Sequence, residues 1–259
     1  MRWDDFTRVG APEVFGPAAQ GLALGRDQFP PALHQAMSQA GLLAEDVDDL
    51  ATLPALFHAR KPDFLICAAH SMDPAAIGTL LNSRPGVSCP SNLVPEARTL
   101  PESAPKGTVF SELLGMGQDA LGYFLLLRAT LRRRRPHVMT DRLSCGALSL
   151  DQEKFRLSLG AHETTLSKLE FCVIGAMMDA PRMVWSKVFL NRVVFGPVEL
   201  KPGRQFDTYM SRVRRGVRDR LGIDPVVVEH RIGYAISPAV LGAAGLLGEA
   251  PVSRAAGTG

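Results

Sequence analysis

The chain has 259 residues and a formal net charge of +3, with 46% hydrophobic and 21% charged residues. This length suits one large domain or two ordinary ones, and the composition is typical of soluble globular proteins. Because no apolar stretch approaches the roughly 20 residues of a membrane helix, and the N-terminus lacks the apolar core of a signal peptide, we expect a cytoplasmic protein that does not bind membranes.

The cysteines and histidines give no sign of a metal or disulfide framework. The four cysteines lie far apart without a C-x-x-C pair, and the six histidines lack the spacing of metal ligands. Zinc sites and disulfide-rich folds normally show such spacings. We therefore expect no metal and no cofactor.

The charge is unevenly distributed along the chain. Residues 1–131 contain 9 basic and 14 acidic residues, a net charge of −5, whereas residues 141–235 contain 15 and 11, a net charge of +4. Such asymmetry indicates a basic module that binds an anion.

Short apolar runs alternate with helical patterns in the first half of the chain. The patterns predict strands at 21–24 and 64–67 and helices at 29–40, 50–60, 74–82 and 117–134. Residues 83–110 contain five prolines, which favour short strands and loops. Alternating strands and helices predict an α/β layer with a parallel sheet.

The pattern changes after Pro136, which ends the long helix. Residues 143–165 read as a small antiparallel sheet. Three helices follow: one capped by Thr165 or Ser167 and running through 178, one capped by Ser186, and one that starts near 204. Two strands are predicted to flank Asp224-Pro225, and residues 236–259 to form a mobile tail.

Residues 204–220, RQFDTYMSRVRRGVRDR, carry the clearest chemical signal. On a helix, the apolar side chains form one stripe, which consists of Phe206, Met210, Val213 and Val217. The opposite face collects arginines and small polar residues, namely Arg204, Thr208, Ser211, Arg212 and Arg215. An α-helix fits the DNA major groove, and arginine can bond guanine edges. A solvated amphipathic helix is the alternative, but three helices followed by the hairpin sequence VVVEHRIGYAI are the order of a winged helix-turn-helix.

Four segments of this region resemble a known family. TLSKLEFCVIGAMM, SKVFLNRVVFG, RQFDTYMSRVRRGVRD and EHRIGYAI resemble, in order and spacing, the effector domain of OmpR/PhoB-type response regulators over residues 141–235. The wing departs from the family pattern Arg-Gly-x-Gly-Tyr. It reads His230-Arg231-Ile232-Gly233-Tyr234, with the arginine shifted by one position.

The first half resembles the receiver domain of the same family in layout. The strand PDFLIC would end on the phosphoacceptor aspartate, and that position is Ala68. The paired acids that hold magnesium would fall near Gly25 and Arg26, and the conserved lysine near Met116; the switch position falls on Ser91. Phosphoryl transfer needs a carboxylate nucleophile, a metal and a cation. We therefore interpret this half as a degenerate, flavodoxin-like receiver domain that acts without phosphorylation.

The combined interpretation is a two-domain transcription regulator. We predict a leader at 1–19, a receiver-like domain at 20–135, a linker at 136–141, a winged-helix domain at 142–236 and a tail at 237–259. The predicted DNA contacts are Thr208, Ser211 and Arg212 with bases, Arg204, Arg214 and Arg215 with phosphates, and His230 or Arg231 from the wing. The run Arg132–Arg135 is predicted to be a solvated helix end, with phosphate binding as its alternative.

The resemblance also implies partners. It implies a homodimer through the receiver-like domain, with faces in residues 95–131, and a loop at 195–203 that meets RNA polymerase. Two other classes remain open at this point. One is a small α/β enzyme that uses Cys67 and His70 as nucleophile and base, although Cys67 lies inside an apolar run. The other is a scaffold whose winged helix binds protein rather than double-stranded DNA.

Overall fold

The computed structural model describes residues 19–68, 91–94, 112–114, 119–197 and 200–242. The predicted helix at 74–82, residues 1–18 of the predicted leader and most of the tail lie outside these residues, as do His70, Cys89 and Met116. Within the described residues, no helix combines the length and apolar character needed to span a membrane.

The first part of the chain builds a five-stranded parallel sheet. Its strands are β1 (Ala19–Leu24), β2 (Leu42–Val47), β3 (Phe64–Ala68), β4 (Ser91–Val94) and β5 (Glu112–Leu113), in the order β2-β1-β3-β4-β5. This order is that of flavodoxin-like doubly wound folds. The central strand β3 is buried along its whole length, as its uniformly apolar sequence requires.

Helices α1 (Pro31–Gln39), α2 (Leu53–Arg60) and α3 (Ala120–Arg134) accompany this sheet. Proline begins α1, where its missing N–H costs nothing, and Gly41 follows its end with φ 66°. The edge strand β2 was not placed by the sequence patterns, because its sequence LLAEDV is acidic and largely exposed.

The second part begins with a four-stranded antiparallel sheet. Its strands are β6 (Arg142–Cys145), β7 (Leu148–Asp151), β8 (Arg156–Leu159) and β9 (His162–Thr165). Successive strands pair with their neighbours in chain order, and inward leucines alternate with polar residues. The small sheet predicted at 143–165 is therefore present.

Three helices and a hairpin follow this sheet. They are α4 (Lys168–Asp179), α5 (Lys187–Phe195), α6 (Gly203–Leu221), β11 (Val226–Glu229) and β12 (Gly233–Ile236), with β10 (Trp185–Ser186) pairing beside β12. Ser167 and Glu170 form a capping box at the start of α4, and the Ser186 hydroxyl accepts from the Phe189 N–H at α5. This architecture, an α/β layer followed by a winged helix, confirms the fold class predicted from the sequence.

Two predicted boundaries are wrong. Asp224-Pro225 does not lie between two strands but precedes both of them, because the Asp224 carboxylate accepts from the Val226 N–H and starts β11. The first residues of the predicted tail form a short helix, α7 (Pro238–Gly242). Its Val240 is buried, and the Val240 carbonyl accepts from the Ala147 N–H, which ties the segment to the antiparallel sheet.

The arginine run at 132–135 and the segment at 136–141 are solvated only in part, since Arg134 and His137 are exposed. Met139 and Asp141 are buried, and so is Arg132. Helix α3 packs against α1 on the side of the parallel sheet and against α4 and α5 of the second part. One continuous hydrophobic core thus extends from Ala23 in β1 to Val240 in α7.

Candidate nucleic-acid interface

Helix α6 separates an apolar side from a basic side. Phe206, Met210, Val213 and Val217 are all buried, so the stripe predicted from the periodicity is confirmed, and Leu221 extends it by one turn. Gly222 follows the last residue of the helix, and its φ of 78° is the left-handed conformation in which helices commonly stop.

The opposite side of α6 faces solvent. All five side chains predicted to face away from the core are exposed, namely Arg204, Thr208, Ser211, Arg212 and Arg215. The Thr208 and Ser211 hydroxyls donate to backbone carbonyls one turn earlier, at 2.9 and 2.8 Å. Each hydroxyl oxygen keeps lone pairs that can accept a hydrogen bond from outside. We call these five residues the reading face.

Arg214 does not join the reading face. Its Nε donates to Asp224 Oδ2 at 3.0 Å and to the Val226 carbonyl at 2.9 Å, and its Nη2 lies 2.8 Å from the same carboxylate oxygen. The phosphate contact predicted for Arg214 is therefore corrected, because its guanidinium is already bound. Its contacts place the first residue of β11 against α6.

A second set of contacts joins α6 to the wing and to α5. Asp207 accepts from Lys187 Nζ at 2.9 Å and from the Tyr234 hydroxyl at 3.0 Å. The hydrogen bond from Lys187 holds the pKa of Asp207 below its ordinary value. Burial, helped by the Asp207 carboxylate, raises the pKa of Tyr234 to about 12. Tyr234 therefore keeps its proton and this bond at neutral pH, and loses them only as the pH rises toward that value.

The wing tip carries a strained backbone position. His230, Arg231 and Ile232 are exposed between the two strands, and the Ile232 N–H donates to the Glu229 carbonyl. Arg231 has φ 62°, a conformation that favours glycine. The residue at 233 is glycine for a different reason, since a Cβ on Gly233 would lie 1.9 Å from the Trp185 carbonyl oxygen. Ile232 is 58% exposed, so the tip presents both a cation and an apolar side chain.

The edge of the parallel sheet where a receiver would carry its phosphoacceptor has different residues. Ala68 ends β3 and is buried at 3% exposure, beside the Leu24–Cys67 pair that joins β1 to β3. Gly25 follows β1 in a left-handed conformation. Arg26 turns toward β2, where its Nη1 donates to Asp46 Oδ1 at 3.0 Å and to the Ala44 carbonyl. Of the remaining two positions, Met116 lies outside the described residues, and so does the side chain of Ser91.

The described residues give the alternative enzyme little support. Cys67 is buried inside β3 at 0% exposure, and His70 lies outside the described residues. Burial also raises the pKa of the Cys145 thiol to about 11, which makes it a poor nucleophile. In the described ranges, no group of three or more His, Cys, Asp or Glu residues could hold a metal ion.

Several residues that shape this surface were missed in the sequence. Lys187, Asp207 and Tyr234 come from three different elements, so no local pattern joins them. Gly233 is the one feature of this surface that the sequence itself indicates, because an isolated glycine within a strand often marks a close approach of two backbones.

One curated relative matches the sequence. The chain is 28% identical over 110 residues to the phosphate regulon transcriptional regulatory protein PhoB of Rhizobium meliloti (strain 1021). The match covers 42% of this chain and 48% of the relative, so it spans about half of the relative's length. It confirms the resemblance to OmpR/PhoB-type response regulators. No family model matches the chain.

Solved structures also match the chain, at low identity and low TM-score. DrrB, a Thermotoga maritima OmpR/PhoB homologue, is 11% identical, with 85% of this chain and 99% of that chain covered and a TM-score of 0.35. The DNA-binding domain of AdeR, solved in complex with an intercistronic region, is 18% identical. The match covers 36% of this chain and 96% of that chain, with a TM-score of 0.32. The DNA-binding domain of CpxR from E. coli is 25% identical. The match covers 37% of this chain and 94% of that chain, with a TM-score of 0.31.

Proposed function

We propose that this chain is a sequence-specific DNA-binding transcription regulator that acts without aspartyl phosphorylation. The observation that carries the proposal is the reading face of α6. A 19-residue helix buries one stripe and exposes arginines and hydroxyls on the other side, and Arg231 is exposed at the tip of the adjacent wing. Such a helix can enter the major groove while the hairpin reaches the adjacent minor groove.

The contacts divide by chemistry. Thr208, Ser211 and Arg212 occupy the middle of the reading face and would meet base edges. Arg204 and Arg215 would meet phosphates, which position a protein on the duplex without reading sequence. Arg214 and Asp207 would act indirectly, because their contacts hold the wing against α6. In this proposal residues 142–236 bind double-stranded DNA, and residues 20–135 form the receiver-like domain.

The first test is Arg212→Ala. We expect specific binding to weaken by roughly 1–3 kcal/mol, the value of one good base contact. Arg204→Ala should instead weaken binding to all DNA sequences alike. It should also reduce the slope of log affinity against log salt concentration by about one. The measurement is a salt-dependent titration against a duplex selected by the parent protein from a random pool. Arg142→Ala is the control, because Arg142 is exposed on the antiparallel sheet. Unchanged binding by both α6 variants would exclude this helix as the reader.

The wing is tested by Arg231→Gly, which should have opposite effects on stability and on binding. A non-glycine residue in the left-handed conformation costs on the order of 1 kcal/mol, so the glycine variant should unfold at a higher denaturant concentration. It should also bind more weakly, most clearly at sites with A·T-rich flanks, where a narrow minor groove attracts arginine. Arg231→Ala, which loses the charge but keeps the strain, is the control. Parent-like binding by Arg231→Gly would remove the wing from the interface.

Phosphorylation independence rests on the residues at the edge of the parallel sheet. Ala68 cannot accept a phosphoryl group, and Arg26, which occupies an expected acidic position, already bonds Asp46. We expect DNA affinity and intact mass to stay unchanged when the protein is incubated with acetyl phosphate and magnesium. We also expect Ala68→Asp to gain no adduct, because nothing replaces the missing acids that hold the metal. A phosphoryl adduct on the parent would refute this part of the proposal.

The remaining partners are proposals of the same kind. We propose a homodimer through the receiver-like domain, which sedimentation at DNA-binding concentrations tests. Within the expected face at 95–131, the structure describes residues 112–114 and 119–131, and most side chains of α3 there are buried. We propose that the loop between α5 and α6 meets RNA polymerase. The side-chain amide of Asn191 donates to the Lys201 carbonyl and accepts from the Lys201 N–H, so part of this loop is held in place. Leu200→Asp should reduce polymerase recruitment without changing DNA binding.

A further inference from the structure

Two arginines on α3 point away from solvent and into the second part of the molecule. Arg128 and Arg132 lie one helical turn apart and are 2% and 0% exposed. Fully buried arginine is rare unless it is paired. Their partners come from elements that follow α3 in the chain, namely Asp141, Gln152 and Asp179. We call these five residues the arginine lock.

The contacts of the arginine lock are short and numerous. Arg128 donates from Nε to Asp179 Oδ1 at 2.8 Å and from Nη2 to Asp141 Oδ2 at 2.7 Å. Arg132 Nη2 lies 3.0 Å from Asp179 Oδ2, and its Nε and Nη2 donate to Gln152 Oε1 at 3.0 and 2.8 Å. Gln152 Nε2 in turn donates to Asp141 Oδ1 at 2.7 Å, which closes the set.

The charges in this set balance, with two guanidinium groups against two carboxylates. Burial lowers the pKa of Arg128, but Asp179 and Asp141 raise it by more, so the pKa lies above its ordinary value. Arg128 therefore stays charged at any accessible pH. A buried ion pair often adds little net stability compared with apolar packing, although removing one partner is costly. Each of these bonds requires one orientation of α3 relative to the second part of the molecule. The main effect of the arginine lock is therefore to fix that orientation.

The surface of α4 is shaped to receive Arg132. A Cβ on Gly175 would lie 2.5 Å from Arg132 Nε and 2.9 Å from its Cζ, so the missing side chain makes the space that the guanidinium fills. The same guanidinium lies 5.7 Å from the centre of the Phe171 ring. Rotation or sliding of α3 on α4 would drive Arg132 out of this space.

A third arginine joins α3 to α5. Arg133 Nη1 donates to the Val193 carbonyl and to the Arg192 carbonyl at 3.4 Å, near the C-terminal end of α5. A cation at this end also interacts favourably with the helix dipole. Helix α3 therefore holds both helices that precede α6, and it also packs on α1 of the parallel sheet.

We propose that the arginine lock joins the receiver-like and winged-helix parts into one rigid body, with the reading face of α6 permanently presented to DNA. One consequence of this inference rests on the proposed function: when the protein binds DNA, the two parts do not move relative to each other. The supporting observation is that the reading face is exposed in the same structure in which the lock is complete. Control of DNA binding would then act on the amount or assembly of the protein, not on exposure of its recognition helix.

The test is a distance measurement on the full-length protein. Spin-labelled amino acids replace Ser38 in α1 and Asp219 in α6, both of which are exposed and outside the lock. We expect one narrow distance distribution that is unchanged when the duplex selected from a random pool is added. A broad distribution, or a shift on adding DNA, overturns the inference. A narrow distribution in a protein that binds no DNA overturns the proposed function and leaves the rigid body standing.

A second measurement uses hydrogen exchange of the full chain. Asp179→Asn keeps the shape of the side chain and removes its charge, so it weakens the lock from the winged-helix side. We expect faster exchange in β1 and β3 of the parallel sheet as well as in α4, because the two parts open together. Faster exchange confined to the second part would contradict a rigid body. If Asp179→Asn does not fold, the distance measurement on the otherwise native chain decides alone.

Discussion

Asp179→Ala should lower the free energy of unfolding by about 3–5 kcal/mol, the usual cost of leaving a buried charge without its partner. Asp179 lies between Arg128 and Arg132 and contacts both guanidinium groups. Removing it leaves Asp141 alone against two buried cations. The measurement is equilibrium denaturation of the full chain followed by circular dichroism.

The matched control is Asp219→Ala. Asp219 also lies next to an arginine, with 3.5 Å between its Oδ1 and Arg218 Nε, but both side chains are exposed. Exposed ion pairs contribute between roughly 0 and 1 kcal/mol, so the same substitution should have little effect there. A loss below about 1 kcal/mol at Asp179 would contradict the burial of its charge that the structure shows.

The parts of the fold that follow from local periodicity could be predicted from the sequence. Phe206, Met210, Val213 and Val217 recur at helical spacing, so their burial and the exposure of Arg212 follow from the helix alone. The buried strand at 64–68 is likewise visible, because an uninterrupted apolar run admits few other structures. Ser167 and Ser186 mark two helix starts correctly because capping depends on residues within one turn.

The features that were missed depend on residues far apart in the chain. The arginine run at 132–135 reads as a solvated helix end, since nothing within it indicates burial. Arg132 is buried by Gln152 and Asp179, which lie 20 and 47 residues later. Arg214 was placed near phosphates for the same reason, because its partner Asp224 belongs to the next element. Two local signals were available: Asp179 directly follows the apolar run at 171–178, and Gly175 lies in the middle of that helical run.

The edge strand β2 shows the opposite limitation. Its sequence LLAEDV has weak strand propensity and three acidic or small residues, yet it pairs with β1 along its full length. Parallel pairing to an existing strand supplies the backbone hydrogen bonds that the local sequence does not favour. A strand of this kind is specified by its position between α1 and α2 rather than by its composition.

Gly175→Ala should destabilise the protein, although the same change in an ordinary helix stabilises it by about 1 kcal/mol. The new Cβ would lie 2.5 Å from Arg132 Nε, and this guanidinium cannot move without losing its bonds to Gln152 or Asp179. Overpacking costs about 1–3 kcal/mol and a lost charged hydrogen bond adds about 1.5–3, so after the helix-propensity gain of about 1 we expect a net loss of roughly 1.5–5 kcal/mol in the free energy of unfolding. Gly203→Ala at the start of α6 is the control, because a Cβ on Gly203 would have no atom within 4 Å, and this change should be neutral or slightly stabilising. A Gly175→Ala protein as stable as the Gly203→Ala protein would show that Arg132 is not held in the space on α4.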